Sequence, residues 1–172
     1  MDIRPTSDRL RETLFNVLSA GNPEALAGSV WLDLYAGTGA VGIEALSRGA
    51  AMAYFVESST AAAELIAANL KSLGVEGGFK IVKTEVGRCL AQLEAQGALA
   101  DFVFLDPPYR MREEYSRTLN ALAGSKSLSP SSVVIAEHEK RFDVGEKFGN
   151  LRRYRKLVQG DAGLSFYRGI VA

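Results

Sequence analysis

Val30-Trp31-Leu32-Asp33-Leu34-Tyr35-Ala36-Gly37-Thr38-Gly39-Ala40-Val41-Gly42 carries an apolar run straight into a glycine-rich loop and out again into a helical pattern. Val30 to Tyr35 has the length and apolar density of a buried strand, and Val41 to Ser47 follows as a helix. Between them Gly37, Gly39 and Gly42 match G-x-G-x-x-G, a spacing that turns the chain sharply and lets backbone approach a ligand at a helix start. Strand, glycine loop and helix in that order are the opening unit of a doubly wound α/β sheet.

The same alternation continues downstream. Met52 to Val56 reads as a strand, Thr60 to Leu73 as an alanine-rich helix, Phe79 to Val82 as a strand and Val86 to Gln96 as a helix. Asp101 to Leu105 is a buried strand, Arg112 to Ala123 a helix and Val133 to Glu137 a strand. Leu151 to Val158 and Leu164 to Val171 then face each other across Gly160, Asp161 and Gly163, the pattern of a hairpin with no helix between its strands. Upstream, Thr6 or Ser7 caps a helix over Asp8 to Leu18, which Gly21, Asn22 and Pro23 end. The expectation is one α/β domain over residues 1–172. Its sheet is Rossmann-like, doubly wound, mainly parallel and seven-stranded, with an antiparallel C-terminal hairpin.

Composition narrows the class. A chain of 172 residues with 47% hydrophobic residues can bury a core of its own, and a single cysteine excludes a disulfide scaffold. No apolar run approaches a membrane span, and Asp2 and Arg4 interrupt any signal-like start, so a cytoplasmic protein is expected. Lysine plus arginine and aspartate plus glutamate are 20 each, so a polyanionic partner would have to be held by a local patch.

In a doubly wound sheet ligands lie beyond the carboxyl ends of the strands, and acids stand at the first three of these ends. Glu57 closes the second strand, where a carboxylate accepts from ribose hydroxyls; this much suits NAD as well as S-adenosylmethionine. Asp33, just upstream of the loop, would repel a pyrophosphate but could hold a methionine ammonium, directly or through water. Glu85, after the third strand, could accept from an adenine amino group or could be a solvated acid at a helix start.

The fourth strand ends in Asp106-Pro107-Pro108-Tyr109. Two prolines remove two donors and fix φ, so the turn is stiff and its carbonyls project as acceptors. An exocyclic NH2 has two hydrogens to give. Asp106 and the Pro107 carbonyl can receive both while Tyr109 stacks on the planar base, which points the nitrogen lone pair at an incoming methyl.

With those motifs the chain resembles the RsmD-type family of bacterial 16S ribosomal RNA guanine-N2 methyltransferases, which are class I S-adenosylmethionine-dependent enzymes. The matching stretches are Arg4-Pro5-Thr6, Asp8 to Asn16, Asp33 to Gly49, Glu57, Leu105 to Tyr109 and a tail like Arg155 to Tyr167. The family's pattern opens with a short basic hairpin ahead of Arg-Pro-Thr, whereas this sequence opens at that segment, and Glu85 stands where aspartate is usual. The resemblance implies methyl transfer to guanine N2, at guanine 966, in ribosomal RNA or a partly assembled small subunit. It also implies S-adenosylmethionine as cofactor, no metal, and a monomer. Thr6, Asp33, Ala36, Gly37, Thr38, Gly39, Glu57, Ser58 and Glu85 are the cofactor candidates, with the segment from Arg4 to Arg11 over the pocket. Asp106, Pro107, Pro108 and Tyr109 are the acceptor candidates.

From His138 to Gly160, seven basic residues stand against three acids, which suits a phosphate-binding face or an ordinary solvated one. Strict strand alternation puts Arg152, Tyr154 and Lys156 on one side and Arg153 and Arg155 on the other. Arg4, Arg9, Arg110, Arg112, Arg153 and Arg155 are the RNA-binding candidates. Cys89 reads as a buried small residue, and Trp31 and Phe15 as core; the lone His138 lacks the partners of a metal site or dyad.

The acceptor motif also suits an adenine N6 in DNA or a protein glutamine amide, since both present a planar NH2. An NAD-dependent oxidoreductase and a catalytically silent RNA-binding domain are the further readings open at this point.

Overall fold

A computed structural model describes residues 7–108 and 110–169. Eight strands form one sheet in the order β3-β2-β1-β4-β5-β8-β7-β6. β1 (Val30–Leu34), β2 (Met52–Val56), β3 (Phe79–Val82), β4 (Ala100–Leu105) and β5 (Leu128–Glu139) are parallel. β8 (Ala162–Gly169) runs antiparallel to both β5 and β7 (Leu151–Gln159), and β6 (Lys147–Phe148) adds a short edge. The seven expected strands are therefore present, and the eighth is a two-residue element too short for periodicity to reveal.

Helices cover the two faces, and each face has its own apolar layer. On one side α1 (Asp8–Leu18), α2 (Ala40–Ser47) and α3 (Thr60–Ser72) bury Leu14, Phe15, Ala45 and Ile66 against Trp31, Phe55 and Phe166. On the other, α4 (Val86–Ala95) and α5 (Glu113–Ala123) bury Leu90, Leu93 and Leu119 against Leu32, Val103 and Tyr167. Trp31 and Phe15 are core, as expected: the indole lies between the Phe15 ring at 5.2 Å and the Phe102 ring at 4.8 Å. No helix among the described residues is long and apolar enough to cross a membrane.

β5 begins five residues earlier than its apolar run, through the polar segment from Leu128 to Ser132. Serine hydroxyls make this possible: Ser132 donates to the Ala100 carbonyl at 2.6 Å and accepts the Ser129 amide at 3.0 Å beside an irregularity in β4. β1 and β4 are adjacent although their order in the chain reverses direction there, so the sheet has its switch point between them. The carboxyl ends of these two strands, with those of β2 and β3, frame the crevice where such sheets bind ligands.

Candidate active site

The glycine loop is built by local necessity. Gly37 and Gly39 both have positive φ (57° and 80°), and Gly39 is the N-cap residue of α2. A Cβ on Gly42 would lie 2.4 Å from the Phe55 ring, so helix and strand can pack this closely only at glycine. Asp33 fastens the far side of the loop. Its carboxylate is 2% exposed and accepts the Gly42 amide at 3.0 Å.

Burial pushes the Asp33 carboxyl up to about 8, opposed by the Gly42 hydrogen bond and reinforced by the negative charge of Glu57. Burial therefore favours the neutral form of this acid in the fold. A neutral acid does not repel a pyrophosphate, so the charge argument against a dinucleotide loses its force, and the identity of the site rests on its other residues.

Those residues converge on a cleft of 620 Å³ at the carboxyl ends of β1 to β4. Gly37, Glu57, Ser58 and Glu85 line it together with Asp106, Pro107 and Pro108. Glu57 is set by two backbone donors, Gly37 N at 3.1 Å and Ser59 N at 3.2 Å, so one carboxylate ties the glycine loop to the start of α3. Glu85 is the N-cap residue of α4, yet its side chain makes no cap hydrogen bond among the described residues and faces the cleft. Asp106 and Pro108 are half-buried and Pro107 buried. The Pro108 carbonyl accepts the Met111 amide at 2.8 Å, so it closes the turn, contrary to the expectation that the turn's carbonyls stand unpaired.

Other candidates lie elsewhere. Thr38 faces a neighbouring groove and its carbonyl accepts Asn69 Nδ2 at 2.9 Å; the Ala36 amide donates to Val56 O; Gly39 packs near Ile66 and Phe55. The described part of α1 does not line the cleft, and Ser7 to Leu10 border a separate groove beside the β7–β8 turn. Arg4, Thr6 and Tyr109 lie outside the described residues. Arg9, Arg110 and Arg155 are exposed, while Arg112 sits 5.0 Å over the Phe142 ring and 3.6 Å from Glu139. Arg153 is held by Asp143 at 3.4 Å and Glu146 at 3.9 Å.

Tyr35 was not singled out by the sequence, and it lines the cleft. It is the one non-glycine among the described residues with positive φ, 58°, a conformation costing roughly 1–3 kcal/mol unless its surroundings hold it. They do. The phenol donates to Glu114 Oε2 at 2.9 Å and lies 2.8 Å from Thr118 Oγ1, which donates in return, while Arg117 pairs with Glu114 at 2.6 Å. The residue before the glycine loop is thus bound to the helix after the Asp106 turn.

Two polar singletons have structural roles. His138 is buried, with Nδ1 2.7 Å from the Glu139 carbonyl and Nε2 2.8 Å from Ser165 Oγ; since a carbonyl only accepts, Nδ1 carries the proton and Nε2 accepts from Ser165. Cys89 is buried, and desolvation pushes its thiol up to about 11, away from nucleophilic reactivity. Among the described residues no group of three His, Cys, Asp or Glu side chains could hold a metal ion.

The family described as Conserved hypothetical protein 95 matches residues 1–168. The chain belongs to this family. It is 34% identical over 166 residues to the ribosomal RNA small subunit methyltransferase D of Escherichia coli K12, covering 96% of this chain and 79% of the relative. It is 30% identical over 165 residues to YlbH of Bacillus subtilis 168, a candidate rRNA methyltransferase, covering 96% and 87%. The fold superposes on the candidate methyltransferase yhhF of Escherichia coli with a TM-score of 0.82 at 31% identity, covering 99% of this chain and 91% of that one. The RsmD-type resemblance read from the motifs and the Rossmann-like methyltransferase fold both hold.

Proposed function

We propose that the protein transfers the methyl group of S-adenosylmethionine to an exocyclic amine of small-subunit ribosomal RNA, with guanine N2 as the acceptor. The observation that carries this reading is the convergence of Gly37 and Glu57 with Asp106 and Pro107 on one cleft. A second support is the likeness to relatives named as rRNA methyltransferases. Position 966 of 16S ribosomal RNA is the target that the family resemblance implies.

The donor set suits this cofactor. A carboxylate already oriented by two amides offers its remaining lone pairs to a ribose diol, a glycine at positive φ leaves room beside it, and Glu85 lines the same cleft as an acceptor for an adenine amino group. Asp33 holds the loop through Gly42, and a cationic ammonium brought near it would favour its ionised form. S-adenosylmethionine supplies an electrophilic methyl on a sulfonium.

The chain's own contribution is orientation. An aromatic amine is a poor nucleophile because its lone pair is delocalised into the ring, so the acceptors must hold its hydrogens and its plane. The Asp106 carboxylate and the Pro107 carbonyl accept the two amine hydrogens, and Tyr109 supplies a stacking ring. The nitrogen sheds one proton on methylation, for which the Asp106 carboxylate is the base the turn offers. Incubation of ribosomal RNA and of small subunits with labelled S-adenosylmethionine, followed by nucleoside analysis, tests the reading. N2-methylguanosine is expected with the wild type, and loss of transfer with unchanged cofactor affinity in Asp106→Ala. Label in DNA or protein but not in RNA would overturn it.

A further inference from the structure

β7 reads Leu151-Arg152-Arg153-Tyr154-Arg155-Lys156-Leu157-Val158-Gln159, and an unbroken strand would send Arg155 to the side opposite Tyr154. The strand is broken. Against β8, Arg153 pairs with Tyr167 and Arg155 with Phe166, so Tyr154 is an extra residue in a β-bulge. Cross-strand partners share a face. Arg152 is paired with Arg168 and Arg155 with Phe166, and the Tyr154 ring lies 6.2 Å from Phe166 and 4.3 Å from the Arg168 guanidinium carbon. Arg152, Tyr154, Arg155 and Arg168 therefore all stand on the side of the sheet that carries Phe166. The bulge sends Arg153 and Lys156 to the other side, beside Tyr167 and Ser165.

This face is built unlike a merely solvated edge. Phe166 is fully buried and supports a tyrosine that remains 44% exposed, with a guanidinium stacked on it. Arg152, Arg155 and Arg168 are exposed and form no ion pair among the described residues, whereas Arg153 on the reverse side is neutralised by Asp143 and Glu146. β6 pairs with β7 only at Arg152 and Leu151, so the rest of the strand's outer side has no neighbour among the described strands. The strand that carries this face also reaches the end of the sheet where the site lies. β7 is antiparallel to β8 and β8 to β5, so β7 runs with β5 and its Gln159 lies at the carboxyl end of the sheet, where Thr13 of α1 donates to it at 2.6 Å. Tyr154 is five residues back along the strand, about 17 Å from that end.

We propose that the face carrying Arg152, Tyr154, Arg155 and Arg168 docks a single-stranded segment of the RNA substrate, with phosphates on the arginines and a base stacked on Tyr154. It rests on the RNA reading above and extends it from the reacting base to the flanking strand. Guanidinium groups match phosphate geometry, and an aromatic ring backed by a stacked arginine accepts any base without regard to sequence. Such a surface adds affinity at a distance from the chemistry, so it acts on RNA binding and not on the transfer step.

The test uses the full chain, a dye-labelled fragment of small-subunit ribosomal RNA read by fluorescence anisotropy over a salt series, and methyl transfer at varied RNA concentration. Tyr154→Ala is expected to weaken RNA binding about 5- to 100-fold, with Tyr154→Phe close to wild type because stacking needs the ring. Arg155→Ala should lower the slope of log affinity against log salt by about one, as loss of one phosphate contact does. Both should raise KM for RNA with kcat unchanged, while Lys80→Ala on the opposite edge of the sheet changes neither. If wild type methylates RNA and these variants keep its KM and salt slope, the docking face is wrong and the RNA reading stands. Variants that aggregate with unchanged RNA affinity would show that the charges only protect an edge strand, which also overturns it. A wild-type chain that neither binds nor methylates RNA removes the RNA reading and this surface together.

Discussion

Replacing Asp33 by asparagine should make the protein more stable in alkaline solution while leaving it nearly unchanged in acid. The carboxyl is buried beneath the glycine loop, and its value rises from the ordinary 3.8 to about 8 chiefly through desolvation. Because the folded-state value lies above that of the unfolded chain, the native protein holds this proton more tightly between about pH 4 and pH 8. Stability is therefore lost as pH rises through that window, by up to about 1.4 kcal/mol per pH unit, and levels off above it. At pH 9 the accumulated penalty is on the order of 5 kcal/mol. Asparagine keeps an oxygen to accept the Gly42 amide but has nothing to ionise. Urea unfolding of both proteins from pH 4.5 to 9 would show a stability gap that opens with pH, reaching a few kcal/mol in favour of the variant. Parallel pH profiles would refute the argument, since they would mean that Asp33 is ionised in the fold at no cost. The same substitution should weaken S-adenosylmethionine more than adenosine, because only the former brings an ammonium group to the carboxyl; equal losses would remove that contact.

Gly42→Ala should destabilise the domain by roughly 1–3 kcal/mol, because the new methyl meets the Phe55 ring at 2.4 Å; thermal unfolding reads this directly. Glu57→Ala should lower affinity for S-adenosylmethionine by ~1–3 kcal/mol in calorimetry, since it removes the acceptor facing the cleft and the tie between Gly37 and Ser59. Tyr35→Phe deletes the bonds to Glu114 and Thr118 and should cost about 1–2 kcal/mol of stability. It should also slow transfer more than it weakens cofactor binding, because the phenol positions the helix that follows the Asp106 turn. A Tyr35→Phe enzyme with wild-type single-turnover rates would make that link purely structural.

Much of the fold was legible because its elements are local. The alternation of short apolar runs with helical patterns located every strand except Lys147–Phe148, and the boundaries of β2, β3 and α1 agree with the reading to the residue. The glycine loop, Glu57 and the Asp106 turn could be read as one site because a doubly wound sheet sends the ends of β1, β2 and β4 to a common edge. Pattern and spacing suffice for such features.

What the tertiary structure alone decided depends on neighbours distant in the chain. Tyr35 meets Glu114 and Thr118 across 79 and 83 positions, and nothing near Tyr35 in sequence announces either partner. Asp33 looked like a charge at a strand end; only its burial beneath the glycine loop and α2 favours the neutral acid. Arg153 and Arg155 were grouped as like residues, yet a bulge defined by pairing with β8 sends them to opposite faces, one neutralised and one free to meet solvent. Sequence spacing carries backbone periodicity and turn chemistry, whereas protonation and the side a strand residue faces are set by desolvation and register, which exist only once the chain has packed.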